Sequence, residues 1–265
     1  MKTLILYDIP SKLEGKYWSD NITKSRQVDP LSAPAPADIT PWSPHRFVLG
    51  YKGLPFQVEW VELPDIAPRM KEIGAGKNRL ADGAETYTLP VLGDPNTGAL
   101  VTDSWEIAEY LEKTYPEKPT FSHKSKGLIR AFTSALINLL QPAAIFPIFR
   151  ASQILNERSA EYYMATREVM FKQKISEFSP EGPKRDEHWA IIEQAFTTSK
   201  EWYVEEEGKW LMGDVFSYAD IFTASILSWL NRVLHEDEWE KIASWHDGRW
   251  GKLLADVKKE CNHRM

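Results

Sequence analysis

An α/β domain followed by an all-helical domain is the fold class predicted by three observations on this 265-residue chain. Short β-branched runs alternate with helical stretches up to residue 115. The proline-punctuated segment Pro116-Glu117-Lys118-Pro119 then breaks the pattern. Beyond it almost everything follows helical periodicity. A hydrophobic content of 43% and eleven tryptophans supply enough apolar surface for a sizeable core. The predicted boundaries are 1–115 for the α/β domain, 116–122 for the linker and 123–265 for an all-α helical bundle.

Leu4–Asp8 reads as the first strand and Phe56–Leu63 as the second, with Val58 and Trp60 alternating against their neighbours. Pro90–Leu92 and Ala99–Thr102 read as a hairpin around the turn cluster Asp94-Pro95-Asn96-Thr97-Gly98. Helices are predicted over Phe47–Lys52, Ile66–Ile73 and Ser104–Tyr115. The resulting order, β-α-β-α-β-β-α, is that of a thioredoxin-like domain. In the second domain Gly127–Leu140, Ser152–Phe171, Glu187–Glu206, Ala219–Leu234 and Asp237–Lys259 read as helices. Ser217 is placed as N-cap and Asp220 at the third helical position, with Phe216 and Ile221 able to close a hydrophobic staple. That start signal is structural, with the cap contributing about 0.5–2 kcal/mol.

Composition excludes several function classes. A net charge of −6 argues against a nucleic-acid surface, because phosphate contacts need clustered Lys and Arg. No run of about eighteen apolar residues exists, so no membrane span is expected. The start Met1–Asp8 turns acidic too soon for a signal peptide. A lone cysteine, Cys261, excludes an internal disulfide and points to a reducing, cytoplasmic compartment. The six histidines have no ligand spacing with Cys or carboxylates, so no metal is expected.

The most informative stretch is Leu89-Pro90-Val91 followed by Asp103-Ser104-Trp105. A proline opening a short buried strand can turn the N–H and C=O of Leu89 away from the sheet, free to pair with a ligand backbone. Asp103 and Ser104 sit at a helix start, where N–H groups are unsatisfied and the dipole favours an anion. Ser104 suits a carboxylate and Asp103 a neighbouring ammonium. The plainer reading is that Asp103 only caps the helix.

Leu89-Pro90-Val91, Asp103-Ser104-Trp105 and Ile107-Ala108-Glu109-Tyr110-Leu111 resemble the glutathione site of the soluble glutathione S-transferases. Leu6–Ser11, Trp18-Ser19-Asp20-Asn21, Tyr51–Phe56 and Thr166-Arg167-Glu168 resemble the etherase-related fungal class, similar to bacterial β-etherases. The resemblance implies that Leu89, Pro90, Asp103 and Ser104 hold glutathione. It also implies that a serine at the first helix donates to the sulfur.

Here the chain departs from the family pattern. Trp18–Arg26 resembles the start of that helix and Phe47–Gly53 its end, but the Pro-rich insert 27–46 separates them. Its five prolines cannot continue a helix, since each interior one costs about 3 kcal/mol. The insert is either a class-specific loop or an unspliced stretch of coding sequence, which transcript sequencing decides. Ser19 has the expected neighbours, with Asn21 as a second donor. Ser43 competes, because it directly precedes the helix with Pro44 at a permitted position. Tyr7, the donor type of sister classes, reads as strand core.

The chemistry needs a donor only. Glutathione's thiol has an ordinary pKa near 8.5, and the thiolate is the nucleophile. A hydroxyl hydrogen bond to a charged group, at about 1.5–3 kcal/mol, lowers that pKa by roughly one to two units. A helix N-terminus adds about 0.3–1 kcal/mol. The expected function is conjugation of glutathione, as co-substrate, to a hydrophobic or aromatic electrophile, aryl ethers included. The alternative is a glutathione-dependent ligandin without efficient turnover. Gly74–Thr88 is expected to form a hairpin or lid, and Phe146, Phe149, Tyr162 and Tyr163 are core residues before they are pocket residues. A homodimer is compatible with the resemblance, its mode left open.

Overall fold

The computed structural model describes residues 1–13, 43–79 and 83–262. The first domain is a four-stranded sheet of order β2-β1-β5-β6, formed by β1 (Leu4–Asp8), β2 (Phe56–Trp60), β5 (Val91–Asp94) and β6 (Ala99–Thr102). β1 runs parallel to β2 with Leu6 opposite Val58, and antiparallel to β5 with Leu6 opposite Leu92. A separate hairpin, β3 (Asn78–Arg79) with β4 (Glu85–Thr86), lies within the segment expected to form one. Three helices complete the thioredoxin-like βαβαββα domain: α1 (Pro44–Lys52), α2 (Ile66–Ile73) and α3 (Ser104–Thr114). Leu4, Leu6, Val48, Leu49, Val91, Leu92, Ile107 and Leu111 are fully buried, so the alternating apolar positions meet in one core.

The second domain holds α4 (Lys126–Leu140), α5 (Ile145–Ile154), α6 (Glu157–Phe171), α7 (Pro183–Lys200), α8 (Tyr218–Val233) and α9 (Glu236–Asn262). The predicted single helix Ser152–Phe171 is two helices. Leu155 is extended at φ −72°, ψ 153°, because the chain after β1 reaches across: Ser11 bridges Leu155, and Lys12 N–H donates to the Ile154 carbonyl at 2.8 Å. A backbone engaged in that pairing cannot continue as helix. Helix α9 is broken at Trp245–Gly248, where His246, Asp247 and Gly248 have positive φ. Ser217 and Asp220 hold their expected places, and the Asp220 carboxylate accepts from Ser217 N–H at 3.0 Å and Leu211 N–H at 2.8 Å. Burial nevertheless pushes the Asp220 carboxyl up to about 6.

Helix α1 begins at Pro44, three residues before the predicted start, and is fixed by a buried ion pair at each end. At its first turn the Arg46 guanidinium meets Asp8 at the end of β1, with Nε and Nη2 both 2.6 Å from Oδ2. At its last residue the Lys52 ammonium lies 3.1 Å from Glu112 of α3. It also donates to the carbonyls of Tyr115, Glu117 and Lys118 at 3.0–3.2 Å. Glu112 in turn accepts from Thr120 N–H and Phe121 N–H at 3.0 and 3.3 Å. The interdomain linker is therefore wound around one buried lysine. Gly50 lets α9 approach, since a Cβ there would lie 2.9 Å from the Cys261 carbonyl oxygen. A second joint binds the domains: Asn156, Arg158 and Ser159 at the start of α6 engage Glu62, Asp65 and the Leu63 N–H.

Removing one partner of a buried pair leaves the other uncompensated, a loss of about 3–5 kcal/mol. Lys52→Met is therefore expected to destabilise the protein by that amount in urea unfolding, and Lys52→Met with Glu112→Leu to recover part of it. A pH dependence follows from Asp8. Burial pushes its carboxyl up, but Arg46, His45 and the Ile9 N–H outweigh burial and hold it at about 2. Because the folded value lies below the ordinary one, the stabilisation is present above pH ~4 and is lost as pH falls toward 2. Its size is about 2 kcal/mol. Acid unfolding of Asp8→Asn, followed by circular dichroism, is expected to lack this component.

Candidate functional site

Three pieces of backbone converge where β1 and β6 end and β5 begins. Asp103, after β6, donates its N–H to the Pro90 carbonyl at 3.3 Å, which ties the α3 start to the Leu89–Pro90 bond. That bond is cis. Asp8 follows Tyr7, the residue paired with Val91, and carries Arg46 and hence the first turn of α1. The N-termini of α1 and α3 are thus brought to the same edge of the sheet.

The α3 N-terminus can be accounted for donor by donor. A helix start leaves four N–H groups without intrahelical partners. Asp103 N–H goes to Pro90, and Asp103 Oδ1 accepts from Trp105 N–H at 2.7 Å and Glu106 N–H at 3.3 Å. Among the described residues, the Ser104 N–H is the one left over, beside its own half-buried hydroxyl. Asp103 does cap the helix, as its plainer reading has it, and among the described residues the cap leaves a two-donor vacancy at Ser104. Asp103 adopts φ 77°, ψ 139°, a region that costs a non-glycine residue about 1–3 kcal/mol. Leu89 is only 6% exposed, and among the described residues its N–H and C=O make no hydrogen bond. Unpaired backbone groups in so buried a place call for a partner.

At the α1 N-terminus Ser43 is the N-cap residue, 4% exposed, and its hydroxyl makes no capping bond. His45, the second residue of the helix, is 1% exposed, and among the described residues neither ring nitrogen has a hydrogen-bond partner. Its Nε2 is 3.7 Å from Asp8 Oδ2. Burial pushes the imidazole below its ordinary value; Asp8 and Asp103 oppose that shift and Arg46 reinforces it. Arg46 also lies over the Trp60 ring at 5.2 Å.

The structure brings Leu89, Pro90, Asp103 and Ser104 together. Ser19, Asn21 and the insert up to Trp42 lie outside the described residues. Tyr7 is buried and faces Arg69 of α2 at 5.9 Å, on the strand-core side expected of it. Phe146 and Tyr163 are fully buried core residues; Phe149 and Tyr162 are half-buried. Lys71 and Lys77 both approach the Tyr87 ring, at 5.8 and 5.9 Å, just before the Leu89 turn. Sequence reasoning missed Asp8, His45 and Arg46 as site residues. The latter two were counted in the insert, and a carboxylate 38 positions from its arginine gives no local signal.

Residues 44–114 match the family model for the glutathione S-transferase N-terminal domain, and residues 127–259 that for the C-terminal domain. The chain is 34% identical to a glutathione S-transferase of Ceriporiopsis subvermispora solved in complex with glutathione, over 98% of both chains and with a TM-score of 0.83. Glutathione transferase GSTFuA3 from Phanerochaete chrysosporium is also 34% identical over 98% of both chains, with a TM-score of 0.77. The glutathione S-transferase-like protein ustS of Aspergillus flavus is 28% identical over 94% of this chain and 88% of its own length. A described site of cis-proline turn and vacant helix start, two domain models that together take in both halves, and full-length likeness at this level lead to one conclusion: the chain belongs to the glutathione S-transferase family.

Proposed function

We propose that this chain is a glutathione transferase of the etherase-related fungal class, which conjugates the glutathione thiolate to hydrophobic or aromatic electrophiles, aryl ethers among them, in the cytoplasm. The observation that carries the reading is the vacancy at Ser104 beside the unpaired backbone of Leu89. An extended peptide pairs its main chain with Leu89, and its charged end meets the Ser104 N–H and hydroxyl where the helix dipole favours an anion. Asp103, exposed at the same turn, faces the adjoining ammonium through the oxygen that does not cap the helix. This recognition uses the chain's own donors and requires no metal. It matches what the Ceriporiopsis relative is described as binding.

The sulfur lies by the α1 N-terminus in this reading, where a serine hydroxyl lowers the thiol pKa by hydrogen bonding to the thiolate. Ser43 holds the helix start with a hydroxyl unspent on capping. Ser19, supported by Asn21, is the position that the family resemblance favours. The two are separated by Ser19→Ala and Ser43→Ala in parallel, reading conjugation of chloronitrobenzene against pH. The variant whose pH profile moves alkaline identifies the donor.

The burial of Ser43 to 4% favours a second reading, a ligandin that retains glutathione and hydrophobic compounds without efficient turnover. Retention on a glutathione-affinity column with no conjugation supports the ligandin; retention with turnover supports the transferase. Ser104→Ala is expected to weaken glutathione binding by about 1–3 kcal/mol in calorimetry, the loss for a hydrogen bond to a charged group. Unchanged affinity removes Ser104 from the site.

A further inference from the structure

We propose that Asp8 is a positioning residue for the sulfur-binding half of this site, because its one carboxylate holds both the exit from β1 and the entry into α1. The proposal rests on the glutathione reading above and adds a residue to it. Oδ1 accepts from the Ile9 N–H at 2.8 Å, where the chain leaves β1. Oδ2 accepts from Arg46 Nε and lies 2.6 Å from Nη2, within the first turn of α1. The Asp8 carbonyl accepts from Val61 N–H at 2.9 Å, which ties the same residue to the end of β2. Arg46 in turn donates its own N–H to the Ser43 carbonyl at 3.2 Å. Ser43 is therefore one helical turn from a guanidinium that Asp8 holds. Residues 8 and 46 are 38 positions apart, and both candidate donors, Ser19 and Ser43, lie between them in the sequence. Whichever serine meets the sulfur, Asp8 closes the stretch of chain that carries it.

The half that holds the peptide is tied by different bonds. Leu89 and Ser104 are brought together through the Pro90 carbonyl and the Asp103 N–H, at the start of β5 and the end of β6. Separate anchors divide binding from thiol activation. A hydroxyl stabilises a thiolate only within hydrogen-bond reach, so a small displacement of the α1 start costs activation while the peptide stays bound. Asp8 holds its place in the charged state. Burial pushes its carboxyl up, but Arg46 and His45 of α1 and the Ile9 N–H outweigh burial and keep it ionised through the neutral range. A buried charge must keep its partner in place, since either one alone is left uncompensated.

The test uses the full-length chain and follows glutathione affinity by calorimetry, kcat with chloronitrobenzene at neutral pH, and thiolate ultraviolet absorbance of bound glutathione against pH. Asp8→Asn is expected to keep glutathione affinity within about twofold, to lose about tenfold in kcat, and to move the thiol titration about one unit alkaline. The direction of that shift separates position from charge. Removing a negative charge and leaving Arg46 bare favours a thiolate, so charge alone moves the titration toward acid. Loss of position moves it the other way. Asp8→Leu with Arg46→Met replaces the buried pair by apolar side chains, and is expected to restore resistance to urea without restoring kcat or the titration. A merely structural Asp8 predicts recovery of all three together. If either variant fails to fold, Arg46→Lys, which keeps the charge but not the fork, is expected to move kcat and the titration in the same direction. Glutathione bound with an unmoved or acid-shifted titration in the folded variants overturns this proposal alone, as does full recovery in the double variant. No glutathione binding by the unsubstituted protein overturns the functional reading with it.

Discussion

The site depends on how α1 is held. A nine-residue helix is too short to be stable by itself in water, since isolated helices below about 12–15 residues are marginal. Its position comes instead from charges buried at both ends, Arg46 on Asp8 and Lys52 on Glu112. Buried pairs of this kind contribute little net stability over apolar residues, but they tolerate only narrow geometries. Asp8 fixes where α1 begins relative to the sheet, and so fixes Ser43 and His45. Lys52 gathers the carbonyls of Tyr115, Glu117 and Lys118, and so fixes where the helical domain starts. One helix thus sets both the place of Ser43 and the path of the linker into the helical domain.

Much of this fold was legible in the sequence because its signals are local. Strand alternation in Leu4–Asp8, the turn cluster after Asp94, the prolines at 116 and 119 and the Ser217/Asp220 helix start each fall within a few residues of what they determine. The departures were long-range. The break at Leu155 has one local signal, Asn156 as the N-cap of α6, and its extended backbone is held by Ser11 and Lys12 from the other domain. The start of α1 at Pro44 depends likewise on Arg46 finding Asp8 across the sheet. Of the candidate site, the Leu89–Pro90 and Asp103-Ser104 half could be read from residue types, because turn and helix start define their own unsatisfied groups. The sulfur half could not. Two serines precede apolar helical sequence, and residue type alone does not choose between Ser19 and Ser43.

The two helix N-termini divide the labour according to what each leaves vacant. At α3, Asp103 satisfies two amides with one carboxylate oxygen and hands its own N–H to Pro90, so among the described residues the Ser104 N–H is the one left open. The remaining vacancy is one N–H beside one hydroxyl, where the helix start favours an anionic group. At α1, Pro44 has no N–H to offer, and Ser43 and His45 flank it in the sequence. The dipoles favour negative charge at both ends.

The backbone of Asp103 makes the same point in energetic terms. Its φ of 77° carries a penalty of about 1–3 kcal/mol for a residue with a Cβ. Glycine would relieve most of that penalty, yet glycine has no carboxylate to cap Trp105 and Glu106, and caps contribute about 0.5–2 kcal/mol. The two effects nearly cancel in stability, so folding alone gives little reason to prefer aspartate. What glycine would change is the site. Trp105 N–H and Glu106 N–H would join Ser104 N–H as open donors, and the exposed carboxylate oxygen beside them would be gone. A strained acid at this turn is therefore best understood as the means by which one helix start offers an anion site and a cation site side by side, which is what a zwitterionic peptide end requires.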